Sequence, residues 1–113
     1  MINKGFSKAT LVSKAAQGLV FIKHDDIICL KADRNYTQVF VFNNEMSIRV
    51  INNIGSLNLE LDQDTFIQCH RSYIININYI VCYQQKCKKI VMKKNLTVPV
   101  SRSYEKGLLQ RFL

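Results

Sequence analysis

Ile27-Ile28-Cys29-Leu30-Lys31-Ala32, then Asp33-Arg34-Asn35, then Tyr36-Thr37-Gln38-Val39-Phe40-Val41-Phe42: two runs rich in β-branched and aromatic residues flank a short, charged, turn-prone connection. Such residues suit a pleated, half-buried surface, so the segment reads as two strands and a turn. The same period of two spreads outward in both directions. Residues 10–13 and 19–23 read as a hairpin around Lys14-Ala15-Ala16-Gln17-Gly18, where Gly18 can take positive φ. Met46, Ile48 and Val50 alternate with Ser47 and Arg49, which predicts a strand with one dry and one wet face. Residues 73–83 read as one long strand with Ile75, Ile77, Tyr79 and Val81 on a common face. Residues 89–93 and 96–100 pair across Lys94-Asn95, since Asn tolerates a left-handed turn.

Helical spacing is confined to two places. Ile54, Leu57 and Leu61 recur at three and four, with Ser56 as the expected N-cap and Asp62-Gln63-Asp64 as the stop. A terminal helix over 104–112 is expected to pack Leu108, Leu109 and Phe112 on a sheet. Strands outnumber helices and never alternate with them as βαβ units, which excludes a parallel α/β fold and leaves a mainly β class.

With 113 residues, the chain is long enough for one core. At 48% apolar it is not composed like a disordered segment, and the absence of an eighteen-residue apolar run or a signal-peptide block predicts a soluble, cytosolic protein. The net charge of +8 is unevenly placed. Residues 1–65 hold seven Lys/Arg against seven Asp/Glu, whereas residues 66–113 hold nine against Glu105 alone. A polyanion would meet one basic half; the bland reading is a solvated basic surface.

Catalysis and metal binding find no support. Cys29, Cys69, Cys82 and Cys87 make no CxxC pair, and His24 and His70 are the only histidines, so structural thiols and no metal site are expected. Cys69 and His70 are adjacent, but neighbours on a strand point to opposite faces and form no dyad. Asp25-Asp26 reads as a strand end, and the four glycines are too isolated for a phosphate loop. No enzyme and no cofactor are expected.

Two segments place an arginine beside serine at a strand end: His70-Arg71-Ser72-Tyr73-Ile74-Ile75-Asn76 and Val98-Pro99-Val100-Ser101-Arg102-Ser103-Tyr104. A guanidinium fork beside a hydroxyl suits phosphate and guanine recognition. Together with Asp26-Ile27-Ile28-Cys29-Leu30, Arg34-Asn35-Tyr36-Thr37, Phe66-Ile67-Gln68-Cys69 and Ile75-Asn76-Ile77-Asn78-Tyr79-Ile80, these segments follow in the order of a known family. Over residues 19–109 the chain resembles the LytTR type of bacterial DNA-binding domain, usually the output module of two-component response regulators.

That resemblance implies an elongated stack of short antiparallel sheets with one short central helix and a short C-terminal helix. It also implies sequence-specific duplex DNA binding in transcription regulation, with loops rather than a recognition helix reading the grooves. By motif position the base or groove candidates are Arg34, Asn35 and Thr37; His70, Arg71 and Ser72; and Ser101, Arg102 and Ser103, with Arg71 first and Arg102 second. Lys88, Lys89, Lys93, Lys94 and Asn95 are the phosphate candidates, which position without specifying. Structural readings stand beside these: Tyr36 and Tyr73 as core or edge aromatics, His70 as a bond to its turn backbone, Asn76 as the partner of a buried backbone group. The chain departs from the family pattern at Ser103, where many members carry arginine, and at Lys94-Asn95, where many carry glycine.

The expected organisation is an N-terminal segment with the first strand over 1–18, without a receiver domain, and a LytTR-like DNA-binding domain over 19–113. The expected partner is double-stranded promoter DNA, with two copies on direct repeats and a mainly monomeric free protein. A receiver domain or sensor kinase would join if the chain belongs to a longer regulator, and no membrane partner is expected. A small basic β protein binding RNA, or a protein interaction domain using strand edges, are the alternatives.

Overall fold

The computed structural model of the protein describes residues 9–113. The first eight residues of the expected segment 1–18, including Lys4 and Lys8, lie outside the described ones. In chain order the elements are β1 (Thr10–Ala15), β2 (Gly18–Lys23), β3 (Ile27–Asp33), β4 (Tyr36–Val41), β5 (Ile48–Val50), α1 (Ile54–Glu60), β6 (Phe66–His70), β7 (Tyr73–Asn76), β8 (Ile80–Gln84), β9 (Lys89–Met92), β10 (Leu96–Pro99) and α2 (Arg102–Phe112). All pairings are antiparallel, in a seven-stranded sheet ordered β2-β1-β5-β4-β3-β7-β6 and a three-stranded sheet ordered β10-β9-β8. This is the mainly β architecture, elongated at 44 × 29 × 24 Å, with the two short helices where they were expected. Because β1 pairs with both β2 and β5, a boundary between residues 18 and 19 falls inside the first hairpin.

The large sheet has a core on each face. Leu11, Val39, Leu57, Phe66 and Ile74 belong to one cluster, beneath α1; Ile75, Cys69, Ile90, Met92, Val98 and Leu108 belong to the other, beneath the small sheet and α2. Central strand β3 therefore feeds both, with Ile27 and Leu30 in the first cluster and Ile28 and Cys29 in the second. Burial on both sides is why its sequence is an unbroken apolar run rather than an alternation. Each fully buried Ile or Leu contributes about 1.5 to 3 kcal/mol.

Several local expectations are corrected. Residues 73–83 are not one strand: the chain turns through a 3₁₀ turn over Ile77–Tyr79, and β7 and β8 lie in different sheets. Asn76 causes the break. Its buried amide donates to the Ile27 carbonyl at 2.9 Å, while its Oδ1 accepts the Asn78 N–H at 2.9 Å, capping the turn. Val81, expected beside Ile75, is 58% exposed. Asn53, not Ser56, caps α1, its Oδ1 accepting the Ser56 N–H at 2.8 Å. Strand β5 begins only at Ile48, leaving Met46 exposed. The terminal helix, expected from Tyr104, begins two residues earlier: Ser101 precedes α2, and Arg102 and Ser103 form its first turn. On α2, Leu108 is buried, Leu109 half-buried and Phe112 exposed, so only Leu108 packs as expected without qualification. In the last hairpin Lys94 as well as Asn95 takes positive φ, at 65° and 60°.

Candidate nucleic-acid interface

Three chain reversals meet at one end of the large sheet. Asp33 pairs with Tyr36 and closes the first over Arg34-Asn35, with Arg34 at φ 60°. His70 pairs with Tyr73 and closes the second over Arg71-Ser72. Strands β3 and β7 run antiparallel, so the end of one lies beside the start of the other, and the Ala32 N–H bonds the Ser72 carbonyl at 2.8 Å. The third is the entry into α2, where the Ser101 N–H bonds the Cys69 carbonyl at 3.0 Å. Arg34, Asn35, Arg71, Ser72, Ser101, Arg102 and Ser103 are thus brought to one end of the molecule, and all three arginines are exposed.

Small bonds stiffen this rim. His70 Nδ1 accepts the Ser72 N–H at 3.0 Å, Gln68 Nε2 donates to the Arg71 carbonyl at 3.2 Å, and the His70 ring meets Tyr73 edge-on at 5.5 Å. His70 therefore bonds its own turn backbone, the structural reading of that residue. Thr37 leaves the groove-reading set: it is fully buried and its hydroxyl donates to the Asn52 carbonyl at 2.8 Å.

Nearby acids are already engaged. Glu105, the lone acid of the basic half, accepts Lys88 Nζ at 2.8 Å and the Tyr83 hydroxyl at 2.6 Å. The bond from Lys88 and then that from Tyr83 hold its carboxyl below the usual range, while burial and the bond to Glu105 push the Tyr83 phenol up to about 12. Asp33 is met by Gln38 Nε2 at 3.1 Å and Arg49 Nε at 3.6 Å. By contrast, the side chains of Arg34, Arg71 and Arg102 form no hydrogen bond or ion pair with any described residue. Lys89 is exposed at the start of β9 on this same end, paired in register with Pro99.

The remaining phosphate candidates lie elsewhere. Lys93, Lys94 and Asn95 form the tip between β9 and β10, at the opposite end of the small sheet from Lys88 and Lys89. Lys94 is occupied there, donating to the carbonyls of Val41, Phe42 and Asn44 at 3.3, 3.0 and 2.7 Å. Ile90, Val91 and Met92 of β9 separate the two lysine groups.

Sequence reasoning missed Arg49. Its guanidinium lies 4.4 Å from the centre of the Tyr36 ring and bridges to Asp33, bracing the first turn. Alternation placed Arg49 on a wet face, but only the Gln38–Arg49 register reveals which turn it supports. Burial pushes the thiols of Cys29 and Cys69 up to about 12, which makes both poor nucleophiles. Among the described residues no cluster of His, Cys, Asp or Glu is arranged to hold a metal, and no helix is long and apolar enough to cross a membrane.

The sequence and the fold both have counterparts among known proteins. The model of a family described as the LytTr DNA-binding domain matches residues 17–112. The sensory transduction protein LytT of Bacillus subtilis is 28% identical over 101 residues, covering 87% of this chain and 41% of that protein. LytT of Bacillus anthracis is 42% identical over 55 residues, covering 46% of this chain and 22% of that protein. A solved LytTr DNA-binding domain of a response regulator from Bacillus cereus superposes with a TM-score of 0.80 at 26% identity, covering 94% of this chain and 98% of the other.

Proposed function

The chain belongs to the LytTR family of DNA-binding domains, and from that premise we propose that it binds duplex DNA sequence-specifically through the arginine-bearing end, as a bacterial transcriptional regulator or the output module of one. The chain spans 41% of the length of its Bacillus subtilis relative, a sensory transduction protein; a receiver domain or sensor kinase is its partner if the chain belongs to a longer regulator. Residues 19–113 form the DNA-binding unit, together with the first hairpin.

One observation carries the reading: Arg34, Arg71 and Arg102 stand exposed at one end with no hydrogen bond or ion pair among the described residues, while Asp33 and Glu105 beside them are held by Arg49, Gln38, Lys88 and Tyr83. Guanidiniums on stiff turns keep their forks available for an external acceptor. Arg71 and Arg102 are the base readers, with Asn35, Ser72, Ser101 and Ser103 supplying short-range hydrogen bonds in the grooves. Arg34, Lys88 and Lys89 contact phosphates, with Lys88 exchanging or sharing its bond to Glu105. Thr37 and Lys94 act inside the fold, and Lys93 and Asn95 lie outside this surface. Two copies occupy direct repeats about one helical turn apart, and the free protein is mainly monomeric at ordinary concentrations.

The test is competition of a labelled duplex by unlabelled duplex, single strand and structured RNA. Displacement by duplex alone is the expected result. Equal or better displacement by RNA, through stacking of exposed aromatics, would replace this reading with the RNA-binding one.

A further inference from the structure

At the far end from Arg34, Arg71 and Arg102, a cavity of about 340 Å³ is lined by Ala9, His24, Asp25, Glu60, Asp62, Thr65 and Phe66; Arg111 borders it beside Asp62 but spends its guanidinium on the Gln63 and Asp64 carbonyls at 2.8 and 2.9 Å. It is an acidic recess in a chain of net charge +8. His24 is only 6% exposed, stacks edge-on against Phe66 at 5.9 Å, and its ring has no hydrogen-bond partner among the described residues. Thr65 donates its hydroxyl to Asp62 at 3.0 Å and so adds no free donor. The recess therefore offers carboxylates, an imidazole nitrogen and an apolar wall. A group with several N–H donors on an apolar stem is its complement, and lysine has that form.

We infer that this recess receives Lys93 from a second copy of the chain, joining neighbours in a head-to-tail row on direct repeats. The inference rests on the duplex-binding reading above. Direct repeats hold copies in one orientation, so their contact must join two different surfaces. Phe66 belongs to the core cluster under α1, whereas Met92, which precedes the Lys93 tip, belongs to the cluster on the opposite face of the large sheet. Both features sit at the end away from Arg34, Arg71 and Arg102, because β3 and β6 begin there and Lys94 anchors the tip to Val41, Phe42 and Asn44. In a row of like-oriented copies, one molecule's recess faces the next one's tip. Repeats about 34 Å apart leave about 5 to 10 Å between bodies 29 or 24 Å wide, a span that a lysine stem covers. Lys93 is exposed and makes no hydrogen bond or ion pair among the described residues, so it is available.

Charge reversal tests the contact on duplexes carrying one or two repeats. Glu60→Lys and Lys93→Glu should each lower cooperativity between repeats roughly tenfold, and the double reversal should restore it. Single-repeat affinity should stay within about twofold, because neither residue lies on the DNA-reading end. Unchanged cooperativity in the single variants, or no restoration in the double, would overturn the inference. Loss with Glu60→Lys but not Lys93→Glu would place a different cation in the recess and overturn the assignment equally. Should wild type fail to bind even the single repeat, the duplex reading falls by itself. The contact is then read by sedimentation at millimolar protein and low salt, where wild type should self-associate and each single reversal should not.

Discussion

The two ends of the large sheet use similar polar residues in opposite ways. At the end bearing Arg34, Arg71 and Arg102 the acids are bound internally and these three guanidiniums make no hydrogen bond or ion pair among the described residues; at the far end Lys94 is bound internally and Asp25 and Glu60 are left around a cavity. Net charge alone does not distinguish a lysine that holds a loop from one that meets DNA. The difference lies in what each charged group already touches, and that follows from strand register.

The largest effect that would test this contrast is salt. With the three cations assigned to phosphates, affinity should fall about 40-fold between about 50 and 200 mM salt, with about 0.9 counterions released per phosphate. Lys89→Ala should reduce that slope by about one contact, and Lys93→Ala should leave it unchanged. Equal changes from both would erase the distinction between the ends.

Next comes reading against positioning. Arg71→Ala should cost about 1 to 3 kcal/mol on a cognate duplex and little on random sequence, measured by paired titrations. Arg71→Lys keeps the charge without the fork and should recover the random-sequence affinity but not the discrimination. Equal losses on both duplexes for Arg71→Ala would make it a phosphate contact.

How far the sequence foretold these roles varied with the range of the interaction. A β-branched apolar run gave β3, and alternation gave β4 and the first hairpin, both local properties; strand register brings Arg34, Arg71 and Arg102 to one end. The break at Asn76 was hidden because it depends on a bond to Ile27, 49 residues away. Thr37 looked like a loop residue, yet its partner Asn52 arrives from the connection after β5. Lys94 presented itself as a hairpin-tip cation, and only the approach of Val41, Phe42 and Asn44 gave it another task. These three errors concerned polar groups whose partners were distant in sequence, whereas the cap of α1, Asn53 in place of Ser56, was a local misreading.

Lys94 supplies a sharper form of the same contrast. Lys94→Met keeps the stem and removes the donors, leaving three carbonyls to water. Stability should fall by about 1 kcal/mol, modest because the site is exposed. Denaturant unfolding would measure it, alongside the salt slope, which should not move. A reduced slope with unchanged stability would return Lys94 to the DNA surface.

The smallest expected effect is the pH response of the far end. Burial holds the His24 imidazole below its ordinary value of 6.5, outweighing the opposing pull of Glu60, Asp25 and Asp62. The folded state therefore favours neutral His24, whereas the unfolded chain takes up a proton near the ordinary value. Above that value neither state is protonated and the contribution is fully present; as pH falls through 6.5 toward the lower folded value, the unfolded state alone binds the proton and stability declines. Asp62 and Glu105 shift downward from ordinary values of 3.8 and 4.5, so their stabilising contributions are lost only in more acidic solution. A melting-temperature series from neutral pH down to about 5 should thus show a shallow fall in wild type and a flatter profile in His24→Gln, whatever that variant's absolute stability. A wild-type profile that rises on acidification through this range would mean that His24 is charged in the folded protein, and that the far end holds its imidazole as a cation among the carboxylates rather than as a neutral acceptor.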